Sequence, residues 1–204
     1  MEAQSQGLII GYHGCDQAVR DQLISDNTAF KKSENGYDWL GHGMYFWAND
    51  PERALEFARF KKDHPQKGRS IIETPSVVGA VIDLGYCLDL LNSSSLKLLK
   101  IAYQALNENI GNNKDEVLPV NKPLKDGHDL IFRYLDCAVI ETLHNYRLQN
   151  NISPFDSVRS VFLEGNDLYE NAGFKEKNHI QICIRNPGSI KGFFIPIISG
   201  IHLI

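Results

Sequence analysis

Apolar and polar positions change rhythm several times along this chain, and each change predicts an element. The run Leu8, Ile9, Ile10 predicts a strand over residues 8–12, because short uninterrupted aliphatic runs suit a buried strand. Residues 16–25 predict a short helix, with Asp16 as N-cap and Ala18, Val19, Leu23 and Ile24 on its buried side. A second strand is expected at 44–47. Asp50-Pro51-Glu52 then gives a helix start: an N-cap acid, proline at the first helical position and a carboxylate in the first turn. Ala54, Leu55, Phe57 and Ala58 form its apolar stripe, and Pro65 ends it. The β-branched stretch VVGAVIDL at 77–84 predicts a central strand.

From 89 to 110 the texture becomes leucine-rich and helical, through Leu90, Leu91, Leu98, Leu99, Ala102 and Leu106. A polar loop at 111–127 follows. A second helix is expected over 129–149, where Leu130, Tyr134, Leu135, Ala138, Val139 and Leu143 recur at helical spacing. The chain then returns to strands at 157–163, 180–185 and 192–197. Strands at both ends with helices between them predict an α+β fold, a mixed β core carrying a helical insertion at about 89–150. The length of 204 residues suits one domain, 1–204.

A formal charge of −4 and a pI near 6.0 argue against a broad polyanion-binding surface. Lys61, Lys62, Lys67 and Arg69 make a local basic cluster, the ordinary solvated end of a helix. The four cysteines, 15, 87, 137 and 183, form no CxxC pair, and the last three lie in apolar runs. Buried free thiols in a reducing compartment are expected. The N-terminus MEAQSQG lacks a signal pattern, and no apolar run is long enough to span a bilayer. A cytoplasmic protein that does not enter membranes is expected.

The chemistry concentrates between Ser33 and Ala58, SENGYDWLGHGMYFWANDPERALEFA. Tyr37, Trp39, Tyr45, Phe46 and Trp47 gather around glycines 36, 41 and 43. Glycine admits close backbone approach to a ligand, and aromatic faces stack rings. Taken singly, such aromatics read as core and turn. A dinucleotide fingerprint does not fit, since Phe46 stands where its third glycine would fall, and no Walker or HExxH motif occurs. The order of features decides: Tyr12-His13-Gly14 at the end of an apolar strand, then Gly43-Met44-Tyr45-Phe46, then a capped helix.

That order resembles the ADP-ribosyltransferase superfamily, in its His-Tyr-Glu (diphtheria toxin/PARP-like) branch. The resemblance implies an ADP-ribosyltransferase-like split sheet and NAD as co-substrate. His13 would then bind the adenosine-side ribose, Gly14 would clamp the carboxamide through its backbone, and Tyr45 would stack on nicotinamide. The spacing for the second stacking aromatic falls on Glu56, leaving Phe57 and Trp47 as alternatives. Arg159 is a candidate for the pyrophosphate.

The branch's glutamate opens a late strand, which here reads Asn178-His179-Ile180-Gln181-Ile182-Cys183. Alternation puts His179, Gln181 and Cys183 on one face. Gln181 takes the catalytic position, with His179 as the alternative, and the glutamate is replaced. Glutamine can bond ribose hydroxyls but supplies no negative charge. Glu164 is the candidate substitute carboxylate, ahead of Glu176. Carboxylate-free relatives are mono-transferases or silent binders of NAD or a partner. Compact bacterial relatives act as toxins or immunity effectors. The implied partners are therefore NAD, a macromolecular acceptor (protein or single-stranded nucleic acid), and an antitoxin or immunity protein.

Overall fold

The computed structural model describes residues 7–26, 31–65, 70–111, 116–123 and 129–198. Lys67 and Arg69 of the basic cluster, and much of the polar loop at 111–127, lie outside them. Seven strands and four α-helices follow in the order β1 (Leu8–Asp16), α1 (Gln17–Ser25), β2 (Met44–Ala48), α2 (Pro51–Asp63), β3 (Pro75–Asp83), β4 (Cys87–Asp89), α3 (Ser93–Gly111), α4 (Tyr134–Gln149), β5 (Ser157–Phe162), β6 (His179–Ile184) and β7 (Ile190–Phe194). Strand pairs of both directions occur, so the chain is mixed α+β. The described residues form two compact units, 7–26, 46–65, 70–84 and 187–198 in one and the remainder in the other. Among the described residues no helix is long and apolar enough to cross a membrane.

In the strand-rich unit β1 pairs antiparallel with β3 along its whole length, from Leu8 opposite Asp83 to Asp16 opposite Pro75. The first strand thus runs past residue 12, because its polar end still finds a complete backbone partner. β3 pairs with β7, with a bulge at Val81/Ile82, and the end of β2 pairs with β1 through Tyr12–Trp47 and Gly11–Ala48. Asp16 caps α1 by accepting from the Ala18 amide at 2.9 Å. Its other oxygen accepts from the Glu73 and Thr74 amides, both at 2.8 Å. Asp50 caps α2 through the Arg53 amide at 2.9 Å.

In the helical unit β4 and β5 run parallel, and β5 pairs antiparallel with β6 from Ser157–Ile184 to Phe162–His179. α3 and α4 supply Ala102, Val139, Ile140 and Leu143 to a core shared with Leu40, Leu88, Phe155, Val158 and Cys183. Both helices fall inside the expected 89–150 window, with two corrections. β4, at the front of that window, is too short to show a pattern, and its pairing with β5 defines it. The second helix begins at Tyr134 rather than residue 129, because Phe132 bridges to Lys122 in extended pairing.

Candidate active site

The glycine-rich segment before β2 is gripped from several sides. Ser33 and Gly43 exchange backbone hydrogen bonds of 2.8 and 3.0 Å, and Asp38 accepts from the Asn35 amide at 2.8 Å. Gly41 has φ +78°, and a Cβ there would collide with Glu141 and lie 2.8 Å from Ile140 Cγ2. A Cβ at Gly43 would lie 2.5 Å from both Cys183 Sγ and the Ile184 carbonyl oxygen. These two glycines are therefore explained by packing alone.

Arg185 holds the same segment with its charge. Its guanidinium forks onto Glu141, Nη1 to Oε1 at 2.5 Å and Nη2 to Oε2 at 3.1 Å, and Nη1 also donates to the His42 carbonyl at 3.0 Å. Glu141 Oε1 accepts from the His42 amide at 2.8 Å. Burial alone would push the Glu141 carboxyl up, but the Arg185 hydrogen bonds, the His42 amide and the neighbouring positive charge bring it below its usual value.

Tyr45 is fixed by that loop. Its half-buried hydroxyl accepts from the Leu40 amide at 2.9 Å and donates to the Gly41 carbonyl at 2.8 Å. Burial pushes the phenol well above its ordinary range, so it stays neutral. Both bonds hold the ring in one position.

One face of β5 and β6 carries the most ligand-ready chemistry of this unit. Phe162 lies opposite His179, and Ser160 opposite Gln181. Trp39 packs on Phe162 at 4.9 Å between ring centroids, and Phe162 on His179 at 5.3 Å. The Arg133 guanidinium lies 4.6 Å from the Phe162 ring and 4.9 Å from the Trp39 ring. Trp39 Nε1 donates to Gln181 Oε1 at 2.7 Å. An indole can only donate, so this bond fixes the carboxamide: oxygen toward Trp39, the –NH2 donors away from it. Among the described residues no carboxylate bonds to Gln181. The His179 Nδ1 lies 2.7 Å from the Lys177 carbonyl oxygen, which can only accept. Nδ1 therefore carries the proton, and Nε2 is the lone-pair nitrogen of the neutral ring.

Glu164 lies one pair further along the same ladder, its carbonyl accepting from the Lys177 amide at 3.0 Å. Beside it the Gly165 amide donates to Asp129 Oδ2 at 2.8 Å, which brings a second carboxylate to this end of the unit. Glu176 faces Asn166, accepting from its amide and its side chain, both at 3.2 Å.

The strand-rich unit holds His13 and Gly14. The register puts His13 across from Phe46, with ring centroids 5.9 Å apart, while Trp47 shares the opposite face with Tyr12. Trp47 is buried against Phe57 at 5.0 Å, in a core with Ala54 and Val77. His13 and the pair Trp47–Phe57 are thus not brought together. Gly14 packs under α2, where a Cβ would strike the Ala54 carbonyl. Arg159, in the helical unit, is engaged by the buried Asp89 at 2.7 Å, joining β4 to β5.

Burial pushes the thiols up, to about 11 for Cys15 and Cys87, about 12 for Cys137, and further for Cys183, so none is a nucleophile at neutral pH. Among the described residues no three potential metal ligands gather. Sequence reasoning did not select Arg133, Phe162 or Asp129. Arg133 sits at a helix start where nothing in the local pattern marks it. Comparison with protein-family models, curated proteins and solved structures found no match.

Proposed function

We propose that this chain is an NAD-dependent mono-ADP-ribosyltransferase with an ADP-ribosyltransferase-like split sheet. One observation carries the reading: the resemblance's motif residues fall on strands in the required order. His13 and Gly14 lie on β1, Tyr45 on β2 just before the Asp50-capped α2, and His179 and Gln181 on β6. The implied roles are kept: His13 for the adenosine-side ribose, the Gly14 backbone for the carboxamide, Tyr45 for the nicotinamide ring. Arg159, already paired with Asp89, leaves the list.

In the reaction the bond between ribose C1′ and the nicotinamide nitrogen breaks, and its electron pair leaves with the neutral pyridine. The acceptor nucleophile forms the new bond at C1′ and gives up its proton. Gln181 orients the ribose hydroxyls through the –NH2 that Trp39 turns outward. It cannot hold a proton or offset the positive charge that builds on the ribose. The proton passes to His179 Nε2, to Glu164 or to solvent. Most of the rate then comes from positioning, and a single ADP-ribose is transferred.

The test is incubation with NAD labelled in the adenosine half and a whole lysate, followed by separate protease and nuclease digestion. Monomeric label on a macromolecule, with release of nicotinamide, is the expected result. Polymeric product, or no nicotinamide release with any acceptor, would overturn it. His13→Ala should weaken NAD binding by about 1–3 kcal/mol, as loss of one buried hydrogen-bond partner does. A second reading, an NAD- or partner-binding domain without turnover, is favoured by the absence of a carboxylate on Gln181. Tight NAD binding with no nicotinamide release would select it.

A further inference from the structure

Between β5 and β6 the chain forms an ordered hairpin with large apolar side chains facing solvent. Asp167 bridges antiparallel to Lys175, and the pairing extends through Glu176 N to Asn166 O and Leu168 N to Phe174 O, both 3.0 Å. Gly165, at φ +89°, absorbs a one-residue shift between this ladder and that of β5 and β6. The tip is closed by Ala172 N to Tyr169 O at 2.9 Å, with Asn171 at φ 60°. Its base is pinned by Asp129, and Lys175 pairs with Asp167 at 2.6 Å.

On this frame Leu163, Leu168, Tyr169 and Phe174 are 54%, 57%, 60% and 61% exposed. Single exposed apolar residues are ordinary; four within one short braced hairpin are not. Leu168 and Phe174 are direct cross-strand partners and so share a side. The rigid frame lowers the ordering cost of binding, and Tyr and Phe are the residue types that anchor protein interfaces.

Charge selects the partner. The hairpin carries Glu164, Asp167, Glu170 and Glu176 against only Lys175 and Lys177. Four acids beside two lysines repel a phosphate backbone and attract a basic surface. We propose that residues 163–177 dock a protein whose surface combines an apolar pocket with a basic rim, and that this protein is the acceptor. The last clause rests on the transferase reading; the docking does not.

The test measures binding by fluorescence anisotropy with four labelled probes: short peptides rich in Leu, Phe, Lys and Arg; the same with Glu for the basic residues; the same with Ser for the apolar residues; and a single-stranded oligonucleotide. The basic apolar peptides should bind at least about tenfold tighter than the other three. Tyr169→Ser with Phe174→Ser should remove that preference, by about tenfold or more. Glu170→Lys should weaken binding less and flatten its salt dependence. Circular dichroism checks that each variant is folded. Unchanged binding by the folded double variant, or a preference for the acidic peptides or the oligonucleotide, would overturn docking. NAD turnover, followed in parallel, reports on the transferase reading alone. If the double variant hydrolyses NAD normally, loses docking and still labels lysate proteins at the wild-type rate, the docked protein is not the acceptor.

Discussion

Two arginines of the helical unit end up in opposite situations. Arg185 is forked onto Glu141 and tied to the His42 carbonyl, with all three groups packed around Gly41. Arg133 is laid against the faces of Trp39 and Phe162, with its Nε on the Leu130 carbonyl and only a 3.4 Å contact to Asp136. The first is a closed ion pair whose role is to hold the loop bearing Tyr45. The second keeps donor capacity beside the outward amide of Gln181. Charge type is the same in both; what differs is how completely the surroundings satisfy it, and that difference separates structure from ligand chemistry.

The contrast breaks most easily at Arg185. Arg185→Met leaves the Glu141 carboxylate buried and unpaired and should cost about 3–5 kcal/mol in urea denaturation. Arg133→Met should cost far less. Equal losses would show that the two arginines do the same work.

A smaller effect is expected at Gln181. Gln181→Ala should lower nicotinamide release by about 10²-fold or less, with NAD affinity retained in calorimetry. If Glu164→Gln proves more damaging and the rate profile loses its acidic limb, the proton acceptor is Glu164.

The closed side of the comparison also sets an acid limit. His144, on α4 near Arg185, Glu141 and Arg147, is 1% exposed. Among the described residues neither of its ring nitrogens has a hydrogen bond. Burial first, then the arginine charges, lower it to about 3 from 6.5. The folded state thus keeps the neutral ring, while the unfolded chain takes up a proton below pH 6.5. Stability is intact above that value and falls as pH drops toward 3, by at most about 1.4 kcal/mol per pH unit. Glu141, with its folded value depressed, adds a further loss below its ordinary carboxylate range. His144→Leu should flatten the slope between pH 6.5 and 4.5, leaving the Glu141 component below it. An unchanged slope would place the acid sensitivity elsewhere.

The gentlest probe is Arg133→Lys. It keeps the charge but loses the planar stack, and should cost about 0.5–1 kcal/mol while altering Trp39 fluorescence. Trp47, buried against Phe57, provides an internal reference.

Patterns that repeat within a few residues were decided by the sequence. Asp16 and Asp50 cap the helices they announce, the β-branched run at 77–84 became β3, and the leucine-rich window holds α3 and α4. Each depends on local propensity and periodicity, which neighbouring residues contain. The tertiary structure alone decided the rest. It turned Trp47 and Phe57 to the face opposite His13, because strand register assigns faces and a pleat alternates them. It closed Arg159 onto Asp89 across 70 residues and aimed Gln181 by an indole 142 residues away. It also gave Gly14 and Gly41 packing reasons that no motif states. Hydrogen-bond partners and steric neighbours at such separations are set by pairing and packing, so the chemical standing of a polar side chain is a property of the fold rather than of its place in the chain.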